Sequence, residues 1–209
     1  SDLDIFIPLA EKNGLINKIS LYVVEHAIKE CASVLQSSDI TLSINVSCAD
    51  ICSEAFREKL LSTLQHENVA GESIILEITE RQSSGTEDIK RSMDLFKGTG
   101  IIFALDDFGT GYSSLSQLAR FPIDAIKLDQ SFVKDIHKQS VSQSLVRAIV
   151  AVAQALNLQV IAEGVENAKE DAFLTKNGVN ERQGFLFAKP MPAAVFERWY
   201  KRYQARKKR

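Results

Sequence analysis

Short apolar runs rich in β-branched residues alternate along this chain with longer stretches whose apolar positions recur at helical spacing. The short runs predict six strands: Thr41 to Val46, Ser73 to Ile78, Ile101 to Leu105, Ala125 to Leu128, Gln159 to Ala162, and Gln183 to Phe187. Helical patterns fill the intervals. Ile19 to Leu35 is amphipathic, with Leu21, Val24, Ala27, Ile28, Cys31 and Leu35 on one face. Glu54 to Leu64 follows Ser53, a suitable N-cap. Glu87 to Lys97, Val141 to Leu156, Lys169 to Lys176 and Ala193 to Tyr203 complete the helices. No Gly/Ser linker or low-complexity stretch divides the chain, so residues 1–209 read as one domain.

Alternating β and α units with apolar strands imply a parallel sheet, either open and doubly wound or closed as a barrel. Two features favour an α/β fold of the (β/α)8 TIM-like barrel type. No glycine-rich phosphate fingerprint opens an early βα turn. Polar residues also collect at the strand ends: Asn45, Glu77, Asp106 with Asp107, Lys127, Glu163, and Gln183 opening the last strand. Strand-end residues converging around a ring are how such a barrel builds a site. A closed barrel uses eight strands in about 250 residues, so two strands, roughly 40 residues, are expected to lie upstream of this chain.

A hydrophobic fraction of 45% and a charged fraction of 25% describe a globular chain with ample core material. The net charge of −2 argues against binding polymeric nucleic acid through a global positive field. The basic end, with Lys201, Arg202, Arg206, Lys207, Lys208 and Arg209, reads as a solvated helix end. The cysteines, Cys31, Cys48 and Cys52, lack the spacing of a disulfide framework or zinc site, fit a reducing cytoplasm and read as small structural hydrophobes. His26, His66 and His137 fit no ligand spacing. No apolar run reaches membrane-span length. A cytoplasmic domain without membrane contact is expected, whatever anchor a longer parent carries.

Asp106 and Asp107 follow a buried apolar run and precede Gly109, Thr110 and Gly111. An Asp-Asp pair by itself is usually a solvated loop or helix cap. Lys127 by itself reads as a snorkelling surface lysine. Together the strand-end residues reverse those readings. Neighbouring carboxylates are costly to bury unless a cation compensates them. Asn45, Glu77, Asp106 and Asp107 offer oxygen only, a set suited to Mg2+ or Mn2+. Two such cations about 4 Å apart on a carboxylate-rich rim hydrolyse phosphodiesters.

The ordered motifs Asn45-Val46-Ser47, Glu77-Ile78-Thr79-Glu80, Asp106 through Leu115, Lys127-Leu128-Asp129, Ala162 through Glu166, and Gln183-Gly184 resemble those of the EAL domain family. Phe6 through Glu11 and Lys189-Pro190 are similar to that family as well, so the resemblance covers essentially the whole chain. It implies a modified (β/α)8 barrel that hydrolyses cyclic di-GMP to linear pGpG with two Mg2+ or Mn2+ ions. It also implies that Asn45, Glu77 and Asp106 hold the first metal, with Asp106 bridging to a second that Asp107 also binds. Lys127 then positions the attacking water and stabilises developing charge, and Glu163 matches the family glutamate that serves as general base or as the partner of a metal-bound water. Gln183 matches a residue near metal and substrate. Glu80 and Glu166 match groups that hold the loop after Asp107 and the base in place. The resemblance implies a homodimer. The Glu-Ala-Leu tripeptide that names the family, whose glutamate is a further ligand, does not occur in these 209 residues, nor does the arginine that follows it. The rival reading is therefore an inactive cyclic di-GMP receptor or protein-interaction module.

Overall fold

A computed structural model describes residues 6–207, except 8, 11, 38–39, 80–85, 110–117 and 119–120. Strands and helices alternate as expected, and the chain gathers into two units. The first comprises the described parts of 1–75, 87–101 and 191–209, and the second those of 76–86 and 102–190.

In the first unit, helix α1 (Ile16–Leu35) buries Ser20, Val24, Ile28, Ala32, Val34 and Leu35. Their spacing keeps them on one side of the helix. Strand β1 (Leu42–Val46) buries Ile44 and Val46 while Ser43 and Asn45 are exposed, the two-residue alternation of a strand with one face packed. A short helix α2 (Cys48–Ile51) begins immediately after it. Helix α3 (Glu54–His66) starts where Ser53 accepts a hydrogen bond from the Phe56 amide, and it packs Phe56 and Leu60 against α1. Fully burying side chains of that size contributes about 1.5–3 kcal/mol each. Helix α4 (Thr86–Asp94) contributes buried Ile89 and Met93, and helix α8 (Ala193–Lys207) packs on α1.

A fully buried carboxylate joins α1 to the end of β1. Asp50 Oδ2 accepts hydrogen bonds from Ser20 Oγ at 2.8 Å, Ser47 N at 2.9 Å and Ser47 Oγ at 2.6 Å. Ser47 is the N-cap of α2 and returns the interaction by accepting from Asp50 N. Asp50 Oδ1 finds no partner among the described residues, so Oδ2 alone carries the compensation. Ser20→Ala is expected to lower stability by about 1–3 kcal/mol in urea unfolding. An unchanged midpoint would show that the Ser20 proton serves Ile16 O, which lies 3.1 Å away, rather than Asp50.

The second unit holds Leu76 onward of β2 (Ile74–Thr79), then β3 (Ile102–Phe108), β4 (Ala125–Leu128), β5 (Gln159–Ala162) and β6 (Glu181–Arg182), side by side in chain order. The β3–β4, β4–β5 and β5–β6 pairs are parallel. Helix α5 (Gln130–Val133) follows β4, α6 (Ser140–Ala155) leads to β5, and α7 (Ala168–Lys176) joins β5 to β6. Strands β4 and β5 have the expected bounds. Strand β3 runs three residues further, through the Asp pair to Phe108.

The last strand differs from expectation. It is Glu181–Arg182, and the aromatic run expected as strand is a turn, in which Phe187 and Ala188 donate to Gly184 O. An apolar run of that length satisfies a strand pattern, but here its amides bond to Gly184 O within the turn and, from Leu186, to Val165 O. Phe185 and Phe187 are consequently exposed, at 58% and 43%. Gln183, expected to open the last strand, instead directly follows β6 and so stands at that strand's C-terminal end. Cys48 is buried, and burial pushes its thiol up to about 11. Cys52 is exposed, which does not fit the reading of a buried structural hydrophobe.

Candidate active site

Every residue of β4 is buried, including Lys127 at 3% exposure. Lys127 lies opposite Ile161 of β5, and Leu105 of β3 lies opposite Ile126. Because strand side chains alternate between faces, Asp106 falls level with Lys127, and Glu163, two residues beyond Ile161, falls on the same face. The register therefore delivers both acids to the lysine. Lys127 Nζ is 2.5 Å from Glu77 Oε2, 2.5 Å from Glu163 Oε1 and 3.2 Å from Asp106 Oδ1.

The electrostatics of this cluster are unbalanced. Burial opposes the ammonium charge, but the carboxylates of Glu77 and Asp106 and the hydrogen bonds to Glu163 and Glu77 outweigh it, so Lys127 is held above its ordinary pKa. Burial pushes Glu163 above the usual carboxylate range, and its bond to Lys127 offsets this only partly because Asp106 and Glu77 repel it. Counted by formal charge, one ammonium against three carboxylates leaves two negative charges in excess. Oxygen atoms of Glu77, Asp106 and Glu163 lie within 4.8 Å of one another. A hard divalent cation suits that charge, that spacing and that all-oxygen donor set.

The Asp pair sits in a β-bulge. Leu105 lies opposite Ile126 and Phe108 opposite Leu128, so three steps along β3 match two along β4. The bulge breaks the strict alternation that would send adjacent side chains to opposite faces. Asp107 has φ of 55°, a left-handed conformation that Asp tolerates better than most residues. Its amide donates to Asp106 Oδ1 at 2.9 Å and orients that carboxylate.

The remaining expected residues fall into three situations. Asn45 is exposed near the C-terminal end of β1, in the first unit. Gln183 is held beside Glu163 by its backbone: its amide donates to Ala162 O at 2.8 Å and its carbonyl accepts from Val165 N at 3.0 Å. The Glu166 side chain is exposed, and Glu80 lies outside the described residues. The residue not foreseen is Glu170, 3% exposed, which accepts the backbone amides of Glu166 and Asn167. Its spacing from Asn167 is that of a capping box, the signal by which it was legible.

The chain is similar to several known proteins. The cyclic di-GMP phosphodiesterase PdeR of Escherichia coli (strain K12) is 57% identical over 203 residues, which cover 96% of this chain. The chain spans 31% of the length of PdeR. Among solved structures, the PaMucR phosphodiesterase in complex with c-di-GMP superposes with a TM-score of 0.83 at 34% identity, covering 93% of this chain and 80% of that one. The manganese/cy-diGMP complex of Klebsiella pneumoniae BlrP1 gives a TM-score of 0.79 at 29% identity, covering 91% of this chain and 48% of that one. No helix among the described residues is long and apolar enough to cross a membrane. The model of the EAL domain matches residues 2–190, and this chain belongs to the EAL domain family.

Proposed function

We propose that this chain hydrolyses cyclic di-GMP to linear pGpG with two Mg2+ or Mn2+ ions. The observation that carries the reading is the buried Lys127 ammonium ringed by Glu77, Asp106 and Glu163, with an excess of two negative charges. A cluster built only for stability would be expected to balance its charges. By their places in the family's motifs, Asn45, Glu77, Asp106 and Asp107 are the residues that would hold the ions. Bound divalent cations supply Lewis-acid stabilisation of the phosphoryl oxygens.

The chain's own residues account for the rest. Water attacks phosphorus as the bond to the ribose oxygen breaks, and the ribose oxygen leaves with a proton from solvent. Glu163 takes the proton from the water, a role suited to a carboxylate held above its ordinary pKa. Lys127 orients the water and offsets the charge that develops on phosphate. Gln183, its backbone anchored beside Glu163, matches the family's glutamine near metal and substrate.

The protein acts in the cytoplasm as a homodimer in this reading. Val141, Leu145, Ala148 and Val152 follow steps of four, three and four residues along α6, and Val141 and Leu145 are 71% and 46% exposed. The stripe carries no charge, so it can face its own copy without repulsion.

Incubation of the protein with cyclic di-GMP and Mn2+ is expected to produce pGpG, detected by chromatography, and to stop on addition of EDTA. Tight binding of the dinucleotide without any turnover would instead establish the receptor reading.

A further inference from the structure

We propose that Glu170 is a positioning residue that locks together the two loops presenting Lys127 and Glu163. The proposal rests on the catalytic reading of those two residues. Glu170 stands in the first turn of α7, and its carboxylate is filled by backbone amides from two separate loops. Oε2 accepts from Glu166 N at 2.9 Å and Asn167 N at 3.2 Å, in the loop that follows Glu163. Oε1 accepts from Asp135 N at 3.0 Å, at the end of the segment that follows Lys127.

Capping α7 accounts for only part of this arrangement. A capping box needs the acid at the third helical position to accept the N-cap amide, here that of Asn167. The bonds to Glu166 and Asp135 are additional, and the latter spans 35 residues of sequence. Asp135 adopts a left-handed backbone at φ of 54°, a region that Asp enters more readily than most residues, and its amide meets Glu170 from that conformation. Burial tends to raise the Glu170 pKa, yet the amides of Glu166, Asp135 and Asn167 hold it below the usual carboxylate range.

The two loops touch at a second point nearer the chemistry. Gly164, next to Glu163, has φ of 70°, and a Cβ there would lie 2.5 Å from Gln130 Cβ. A third contact brings in the Asp pair: a Cβ on Gly109, at φ of 97°, would lie 2.7 Å from the Phe132 ring. The segment 129–135 is thus wedged between the ends of β3 and β5.

Asp135, His137 and Glu170 also lie close enough to suggest metal ligands. Glu170 already spends both oxygens on backbone amides, and Asp135 Oδ1 pairs with Lys138 at 2.7 Å. The carboxylate works as a clamp between loops, and catalysis depends on such clamps because small displacements of reacting groups are costly in rate.

Glu170→Gln isolates this role. Its amide oxygen retains the capping bonds to Glu166 and Asn167, while its NH2 group faces the Asp135 amide and breaks the link between loops. With Mn2+ and cyclic di-GMP, kcat is expected to fall at least tenfold with KM within twofold and the melting transition retained. Asp135→Gly keeps the amide in a backbone conformation glycine prefers, and is expected to leave kcat unchanged. Amide hydrogen exchange provides a readout besides activity. In Glu170→Gln, exchange is expected to quicken at least tenfold in both 129–135 and 163–167, with α7 still protected. Unchanged kcat and unchanged exchange in the two loops would reduce Glu170 to a helix cap and overturn the proposal. A rate loss that only follows a loss of folded protein would overturn it equally. If the wild-type protein releases no pGpG, the catalytic reading fails separately, and the exchange of the two loops alone decides the clamp.

Discussion

Lys127→Met is expected to abolish turnover and to lower stability by about 3–5 kcal/mol at neutral pH, the usual cost of stripping one partner from a buried ion cluster. Methionine fills nearly the same volume, so the loss isolates charge from packing. Without the ammonium, the oxygens of Glu77, Asp106 and Glu163 remain within 4.8 Å of one another on a largely buried face. Like charges at that separation repel by about 4 kcal/mol at an effective dielectric near 20. At least one carboxylate then has to take up a proton on folding.

The sign of the pH dependence follows from that. A carboxyl whose folded pKa is raised stabilises the fold below its ordinary range and loses that contribution as pH rises through the folded value. Glu163 is already raised in the wild-type protein by burial, and loss of its Lys127 bond moves it further in the same direction. The deficit of Lys127→Met should therefore shrink between pH 7 and pH 5, as measured by urea unfolding at both values in the absence of divalent ions. A variant as stable as wild type at pH 7, or one that still turns over, would sink the assignment of Lys127 as the cation that organises this rim.

Glu163→Gln is expected to cut kcat by roughly 10²- to 10⁴-fold, the range supplied by a positioned proton acceptor. Glutamine preserves the shape and an oxygen acceptor for Lys127 Nζ, which sits 2.5 Å from the native carboxylate. It also removes one of the three crowded negative charges. The fold should consequently be kept or slightly strengthened, and cyclic di-GMP affinity measured by calorimetry should change little. Turnover within a few-fold of wild type would assign the proton transfer elsewhere. Loss of binding together with turnover would make Glu163 a substrate contact and not a base.

Much of this arrangement was legible in the chain. The alternation of β-branched runs with amphipathic stretches located β4 and β5 with the bounds observed, and Ser53 announced the start of α3 through its local hydrogen bond. These features depend on neighbours in sequence, so periodicity and capping chemistry expose them. The end of the sheet was less legible. Phe185, Leu186 and Phe187 satisfy a strand pattern, yet their backbone bonds go to Gly184 and Val165. Glu170 escaped as a functional residue because one of its partners, Asp135, lies far away in sequence.

Residue types, their order and their placement at strand ends are written in the chain, and with them the family. Tertiary structure decided what those residues do to one another. Lys127 taken alone is a long, flexible cation suited to water, and only the register of β3, β4 and β5 makes it a nearly dry ammonium shared among three acids. The bulge at Asp106 and Asp107 and the Glu170 clamp are likewise products of pairing between distant segments. The physical reason is common to all three. Charge and hydrogen-bonding capacity belong to the residue, whereas burial, dielectric and partners belong to the fold.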